Sequence, residues 1–226
     1  MLGSGIIGAS GYSGANRSDK RGYVWWPTEA TRKELPQYTR RELVAKSRWL
    51  DANVGLAGRC ISGLANLVGS LTPFANTADE RWNELATENF MERAGSSVVF
   101  DRASKLNYWT AQIHLLKASF RDGDVLTVLT DTQSGGARFA FYEADQIRNP
   151  ETDDQAWRDG VRVDRMGRHA AYAVVDPYDE AKAVTVAARD CIYFANQEKF
   201  GHVRGLTVLH RAINHVLDIT EINSDV

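Results

Sequence analysis

The feature that most constrains this chain is a change of hydrophobic period at Gly123. Before it, apolar residues recur every three or four positions; after it, they alternate. Leu43, Leu50, Val54, Ala57, Ile61, Leu64 and Val68 are spaced 7, 4, 3, 4, 3 and 4. That is one seam on a 3.6-residue period, and it predicts a continuous helix from Thr39, closed by Gly69 and Pro73. A second helix is predicted from Thr77, which forms a capping box with Glu80, through Trp82, Leu85 and Phe90 to Gly95. A third carries Leu106, Trp109, Ile113, Leu116 and Phe120 and stops at Asp122-Gly123. Three consecutive amphipathic helices can bury one another's seams.

Beyond Gly123, Val125, Thr127 and Leu129 alternate with Leu126 and Val128, a strand with both faces available for covering. A turn at Ser134-Gly135-Gly136 leads to Phe139-Ala140-Phe141-Tyr142 as its hairpin partner. Residues 149–159 are polar and acidic and read as a loop. Val161 and Val163 alternate with Arg162 and Asp164, and a turn at Met166-Gly167 returns the chain through Ala171 to Val175. Val184 to Val186 and Cys191 to Phe194 are short strands, and Phe200 to Arg204 is a loop. A last helix is predicted near Gly205, with Leu206, Leu209, Ile213 and Val216 on one face. Helices, then antiparallel hairpins, then a helix predict an α+β fold.

Four segments follow: an arm over 1–38, a helical part over 39–122, an antiparallel β part over 123–204 and a helix over 205–226. The arm has glycines at 3, 5, 8, 11 and 14, then basic residues and the cluster Trp25-Trp26-Pro27. Two tryptophans are costly to leave in water, so they are expected to anchor the arm on this chain's own body or on a neighbouring subunit. The final turns carry Glu221 and Asp225, the wrong sign for a helix C-terminus, with no glycine cap. A helix ending this way is expected to continue in a longer protein.

Composition narrows the function classes. With 43% hydrophobic and 25% charged residues, 226 residues can bury a substantial core, and wholesale disorder is excluded. Cys60 and Cys191 are far apart, which excludes a disulfide scaffold or zinc ribbon and suits a reducing compartment. No apolar run approaches the roughly 20 residues of a membrane span, and the start has no secretory signal. The net charge of −2 argues against a nucleic-acid coat, yet residues 1–50 carry nine Lys/Arg against four Asp/Glu. A basic arm could contact phosphates or an acidic neighbour.

A search for chemistry assigns no catalytic, cofactor-binding or metal-binding residue. His210 and His215 are five apart, not the four that aligns two ligands on a helix, and His114, His169 and His202 are scattered. There is no GxSxG or GxxxxGK[ST] motif, and no GxGxxG after a strand. Asp122 and Asp124 flank a helix stop, and Asp153-Asp154 sit in a loop, where aspartate is common turn chemistry. A hydrolase built on Asp122, Asp124 and His169 requires those groups within hydrogen-bond reach of one another. A nucleic-acid-binding module would use the basic arm with aromatics such as Tyr108 and Trp109 beside Lys105.

Several stretches together resemble the lambda-type portal protein family of tailed bacteriophages. Tyr12-Ser13-Gly14-Ala15 followed by Trp26-Pro27 resembles its amino-terminal signature, and Lys46-Ser47-Arg48-Trp49-Leu50 with Asn53 its first helix, with Val68-Gly69 as the exit. Arg121-Asp122-Gly123-Asp124 fits its helix-to-strand junction. The run from Gly160 through Asp164 and Gly167-Arg168 to Ala171-Tyr172 has its Gly, Asp, Gly-Arg and Ala-Tyr spacing. Gly201-His202-Val203-Arg204-Gly205-Leu206 resembles its Gly-Gln-x-Arg-Gly element, with His202 in place of Gln and, earlier, Tyr193 in place of His. The resemblance implies a virion protein without bond chemistry or cofactor. Such a protein forms a dodecameric ring at one capsid vertex and engages capsid or scaffold protein, terminase, head-tail connector proteins and double-stranded DNA. It also implies that this chain corresponds to the wing region, with the clip and stem absent. Physically, Gly123 and Gly167 supply a helix stop and a strand turn, and Arg204 is expected to clamp carboxylates between elements or between subunits.

Overall fold

The computed structural model of the chain describes residues 35–131, 136–152, 154–176 and 179–224. The predicted arm lies almost entirely outside these residues. Among them the chain forms six helices and two antiparallel sheets, the α+β arrangement that the change of period predicts.

Helices α1 (Gln37–Asn53) and α2 (Gly55–Val68) divide what the seam predicts as one helix. Val54, between them, is extended, with φ −114° and ψ 102°. Its N–H still bonds Leu50 O, and the Gly58 N–H bonds Val54 O, so the apolar period runs through the break unchanged. The fold-back itself depends on Gly58: a Cβ there would stand 2.8 Å from the Asp51 carbonyl oxygen. Leu50, Ala57 and Ile61 are buried in a cluster that Leu209 and Ile213 complete, whereas Leu64 and Val68 emerge from it.

Helix α3 (Glu80–Gly95) is capped two residues later than predicted. The Asp79 carboxylate accepts the Trp82 N–H at 3.0 Å, while Thr77 turns its hydroxyl to the Asn83 side chain. Its expected seam is not buried. Trp82 and Leu85 are about half exposed, and Ala94 is the buried residue of this helix. One turn, α4 (Ser97–Phe100), leads to α5 (Tyr108–Asp122), which begins in a reciprocal Asn107/Thr110 cap. It ends at Gly123 in the left-handed conformation, φ 98°.

Strands β1 (Asp124–Asp131), β2 (Ala137–Glu143) and β7 (Cys191–Ala195) form one sheet in the order β2-β1-β7. The predicted hairpin is present, with Leu126 opposite Tyr142 and Val128 opposite Ala140; most of its turn lies outside the described residues. The second sheet has the order β3-β4-β5-β6, from β3 (Trp157–Arg158), β4 (Val161–Val163), β5 (His169–Asp176) and β6 (Asp179–Ala187). Strand β3 falls where a loop is predicted. Asp159-Gly160 reverses the chain with positive φ at both residues, 49° and 84°, as a two-residue type I′ turn requires. Strand β6 is longer than the predicted Val184 to Val186. Leu126, Val128 and Ala140 of the first sheet pack against Val161, Tyr172 and Val174 of the second to form the main core.

The last helix, α6 (Ile213–Ser224), starts eight residues later than the periodicity suggests. Leu206, Leu209 and Ile213 are buried as expected, but the N–H groups of this stretch are committed elsewhere. Gly205 donates to the Asp124 carboxylate, Leu206 to Asn196 O and Val208 to Phe120 O.

Candidate interaction surface

Two charge networks, each centred on a buried aspartate, fix the body from which any surface is presented. In the first, Arg204 reaches the Asp124 carboxylate with Nε at 2.6 Å and Nη2 at 2.8 Å. Its remaining donors go to the carbonyl oxygens of Ala144 (2.8 Å), Ile147 (3.1 Å) and Asp159 (2.6 Å). All five guanidinium N–H groups are thereby used, the full set such a fork possesses. The Tyr193 hydroxyl donates to the same Asp124 carboxylate at 2.8 Å, and Arg40 of α1 pairs with Asp159. Arg204 is therefore a clamp between elements of this chain, joining β1, the turn before β4 and the approach to α6. Burial pushes the Asp124 carboxyl up, but the Arg204 charge and hydrogen bonds, helped by Arg40 and the Gly205 N–H, hold it below its ordinary value. Burial and the Asp124 charge keep Tyr193 protonated far above the usual phenol range.

The second network lies at the α5–β1 junction. Asp122, fully buried, receives Arg48 at 3.0 and 2.6 Å and Arg121 at 2.8 and 3.0 Å. Arg48 also bonds Glu143 (2.8 Å) and Asp145 (2.6 Å), and Arg121 bonds Glu143 (3.0 Å). Asp122, Glu143 and Asp145 have carboxylate oxygens within 4.8 Å of one another, the spacing of a cation site. Two guanidiniums already stand among them and take the role a cation would play. Burial raises the Asp122 carboxyl, and the bonds from Arg121 and Arg48 override it and hold it low.

These partners decide the fate of the candidate catalytic trio. Asp122 and Asp124 are spent on arginines and point into different networks, and His169 Nδ1 bonds the Tyr172 hydroxyl at 3.0 Å. The three groups are not joined to one another, so the arrangement a hydrolase needs is not formed. The aromatics weighed for base stacking are packed as well. Tyr108 meets Phe90, Phe100 and Trp109 edge-on, and Trp109 Nε1 donates to Thr72 at 2.9 Å. In the sequence Tyr193 stands out only as a departure from the resemblance; its role on Asp124 is set by a partner 69 residues away, which no local pattern shows.

Part of what the body offers outward is apolar. Leu56 (63% exposed), Leu67 (85%) and Val68 (54%) stand on the outer face of α2. Leu71 (70%) and Phe74 (78%) continue the surface along the segment after it. That segment is pinned: the Leu71 backbone exchanges two hydrogen bonds with the Gln112 side chain, at 2.9 and 3.0 Å. Trp82 and Leu85 of α3 are also exposed, on a helix whose Glu80, Glu84, Glu88 and Glu92 recur every four residues on one face. Among the described residues no helix is long and apolar enough to cross a membrane. Exposed apolar residues gathered along one segment suit a protein-interaction surface.

The buried charges hold the chain's own elements together, and exposed apolar side chains remain on α2 and the segment after it. Comparison with known families matches residues 18–225 to the phage portal protein, lambda family. The chain belongs to that family. Its members are structural proteins of phage capsids, and this chain is a portal-type structural protein. No curated protein matches the sequence significantly.

Proposed function

We propose that the chain is a subunit of a portal ring at one capsid vertex, a dodecamer by resemblance. There it would nucleate head assembly, receive the terminase and later hold the head-tail connector while double-stranded DNA passes. Assembly would take place in the host cytoplasm, and the chain would contact capsid or scaffold protein and carry out no bond chemistry. Family membership supports the class, and the observation that carries the reading is the set of exposed apolar residues from Leu56 to Phe74. Such a surface suits repeated side-by-side contact between copies, in which a head-to-tail interface closes into a ring.

The test is the mass of the purified chain by light scattering, followed by negative-stain imaging of any large species. Closed rings are expected, and Leu67→Lys with Phe74→Lys should dissolve them without loss of fold. A monodisperse single chain at high concentration would count against self-assembly of this chain.

A further inference from the structure

We propose that residues 73–76 of one copy add as a short strand to the open edge of β2 in the next copy, with Phe74 seated in the cleft between α5 and β2. The proposal deepens the ring reading and rests on it in one respect, that copies of the chain associate.

The acceptor is an unfinished sheet edge. Strand β2 borders its sheet, so every second residue turns its N–H and C=O away from β1. Phe139 and Glu143 are two of these. Phe139 O accepts the Arg102 N–H at 2.8 Å, and the Glu143 N–H donates to Gln146 Oε1 at 2.9 Å. Phe141 lies midway between them and faces the same way, and among the described residues its outward N–H and C=O have no partner. Beside it opens a cleft of about 810 Å³, lined by Leu106, Leu115, Ala118, Val125 and the Phe141 side chain. A cleft of that size takes a bulky apolar group. An open edge next to such a pocket binds extended peptide, main chain on the edge and side chain in the pocket.

The donor lies on the same chain. Residues 69–79 form neither helix nor strand, and Phe74 among them is 78% exposed. The backbone groups of Phe74, Ala75 and Asn76 make no hydrogen bond among the described residues. The segment is tied at both ends, at Leu71 and Thr72 by Gln112 and Trp109 and at Thr77 by Asn83, so little freedom is lost when it docks. Trp109 and Gln112 lie on a different side of α5 from Ala111, His114, Leu115 and Ala118, which line the cleft, at about 100° per residue. The segment is therefore turned away from its own chain's cleft, and the contact runs head-to-tail from one copy to the next.

Charge agrees. Of the acidic groups lining the cleft, Asp101 is spent on the N–H groups of Ala103, Lys105 and Leu106, and Glu143 and Asp145 are held by Arg48 and Arg121. At the Asp101 end the exposed Arg102 and Lys105 side chains have no ion pair among the described residues. Residues 70–77 are uncharged, and just beyond them Asp79, Glu80 and Glu84 against Arg81 leave two negative charges. The donor brings net negative charge to a rim with two free cations.

The experiment uses the full chain with Phe74 replaced by a photoreactive benzophenone amino acid. An adduct to peptides covering 102–118 or 137–146, in a species of two-chain mass, is expected. An adduct to any other segment, or within one chain, overturns the proposal. Phe74→Ala should weaken association roughly tenfold by light scattering on dilution, and Phe74→Leu should stay near the parent chain; equal association of all three overturns it. In associated chains, peptides covering 140–143 should exchange amide hydrogen more slowly than after dilution, and unchanged exchange rules out strand addition. Negative-stain imaging separates this contact from the ring. Rings without the cleft adduct overturn the contact alone, the cleft adduct in open chains overturns the closed ring alone, and a single chain at every concentration overturns both.

Discussion

Arg204 and Asp124, eighty residues apart, meet in two hydrogen bonds of 2.6 and 2.8 Å with both side chains out of solvent. Three carbonyl oxygens complete the arginine's donors, and Tyr193 and the Gly205 N–H complete the aspartate's acceptors. Because every group is satisfied, truncating either partner leaves the other charged and buried. Arg204→Ala or Asp124→Ala should each cost about 3–5 kcal/mol of stability, read as a lower urea midpoint. Arg204→Lys should not restore it, since one ammonium cannot make the five-way contact.

Acid should unfold the protein through Asp122 and Asp124. Both carboxyls are held below their ordinary value of 3.8 in the folded chain by arginine partners that outweigh burial. The stability they contribute is fully present above the unfolded value, near pH 4, and drains away as pH falls through the lower folded values. Unfolding free energy followed from pH 6 to pH 2 should be flat and then decline. In Asp122→Asn, whose side chain no longer titrates, the decline should be shallower.

Glycine at the α5–β1 junction answers to packing as much as to conformation. A Cβ on Gly123, besides its φ of 98°, would lie 2.6 Å from the Leu206 carbonyl carbon, and one on Gly205 would overlap the Gly123 carbonyl oxygen. Gly167 has a similar φ of 84° but open space around it. Gly167→Ala should cost roughly 1–2 kcal/mol, the left-handed strain alone. Gly123→Ala should exceed that clearly, and a thermal melt of the two variants side by side measures the difference.

The two thiols should separate in reactivity. Cys60 is exposed on α2. Burial, with the nearby Asp190 charge, pushes the Cys191 thiol up to about 11. Labelling with a maleimide near pH 7.5 should modify one thiol quickly, at Cys60, and reach Cys191 on unfolding in urea. Equal rates would show that β7 opens readily.

Much of this fold was legible in local pattern. The fall of the apolar period at Gly123, the β1–β2 pairing and the Met166-Gly167 turn rest on backbone sterics and on which face must be dry, and both are written in neighbouring residues. Strand β3 was not legible: residues 149–159 read as a loop, because two paired residues show no period among polar neighbours. The break at Val54 was not, because one extended residue leaves the 3.6 period in phase while Gly58 meets Asp51 across the bend. Nor was the start of α6: buried leucines at helical spacing look the same whether their N–H groups serve a helix or, as here, Asp124, Asn196 and Phe120.

For the interaction surface the division is sharper. The sequence by itself determined the inventory: an α+β chain, the helix stop at Gly123 and the family pattern running through Arg204. The tertiary structure decided which charges are consumed and which apolar residues remain outside. It turned Asp122 and Asp124 from candidate acids into anchors for Arg48, Arg121 and Arg204, and it divided one seam into buried Ile61 and exposed Val68. The physical reason is that burial and pairing belong to residues brought together from distant parts of the chain. Local spacing says which face of a helix is apolar, and only the packing of the whole says what covers it.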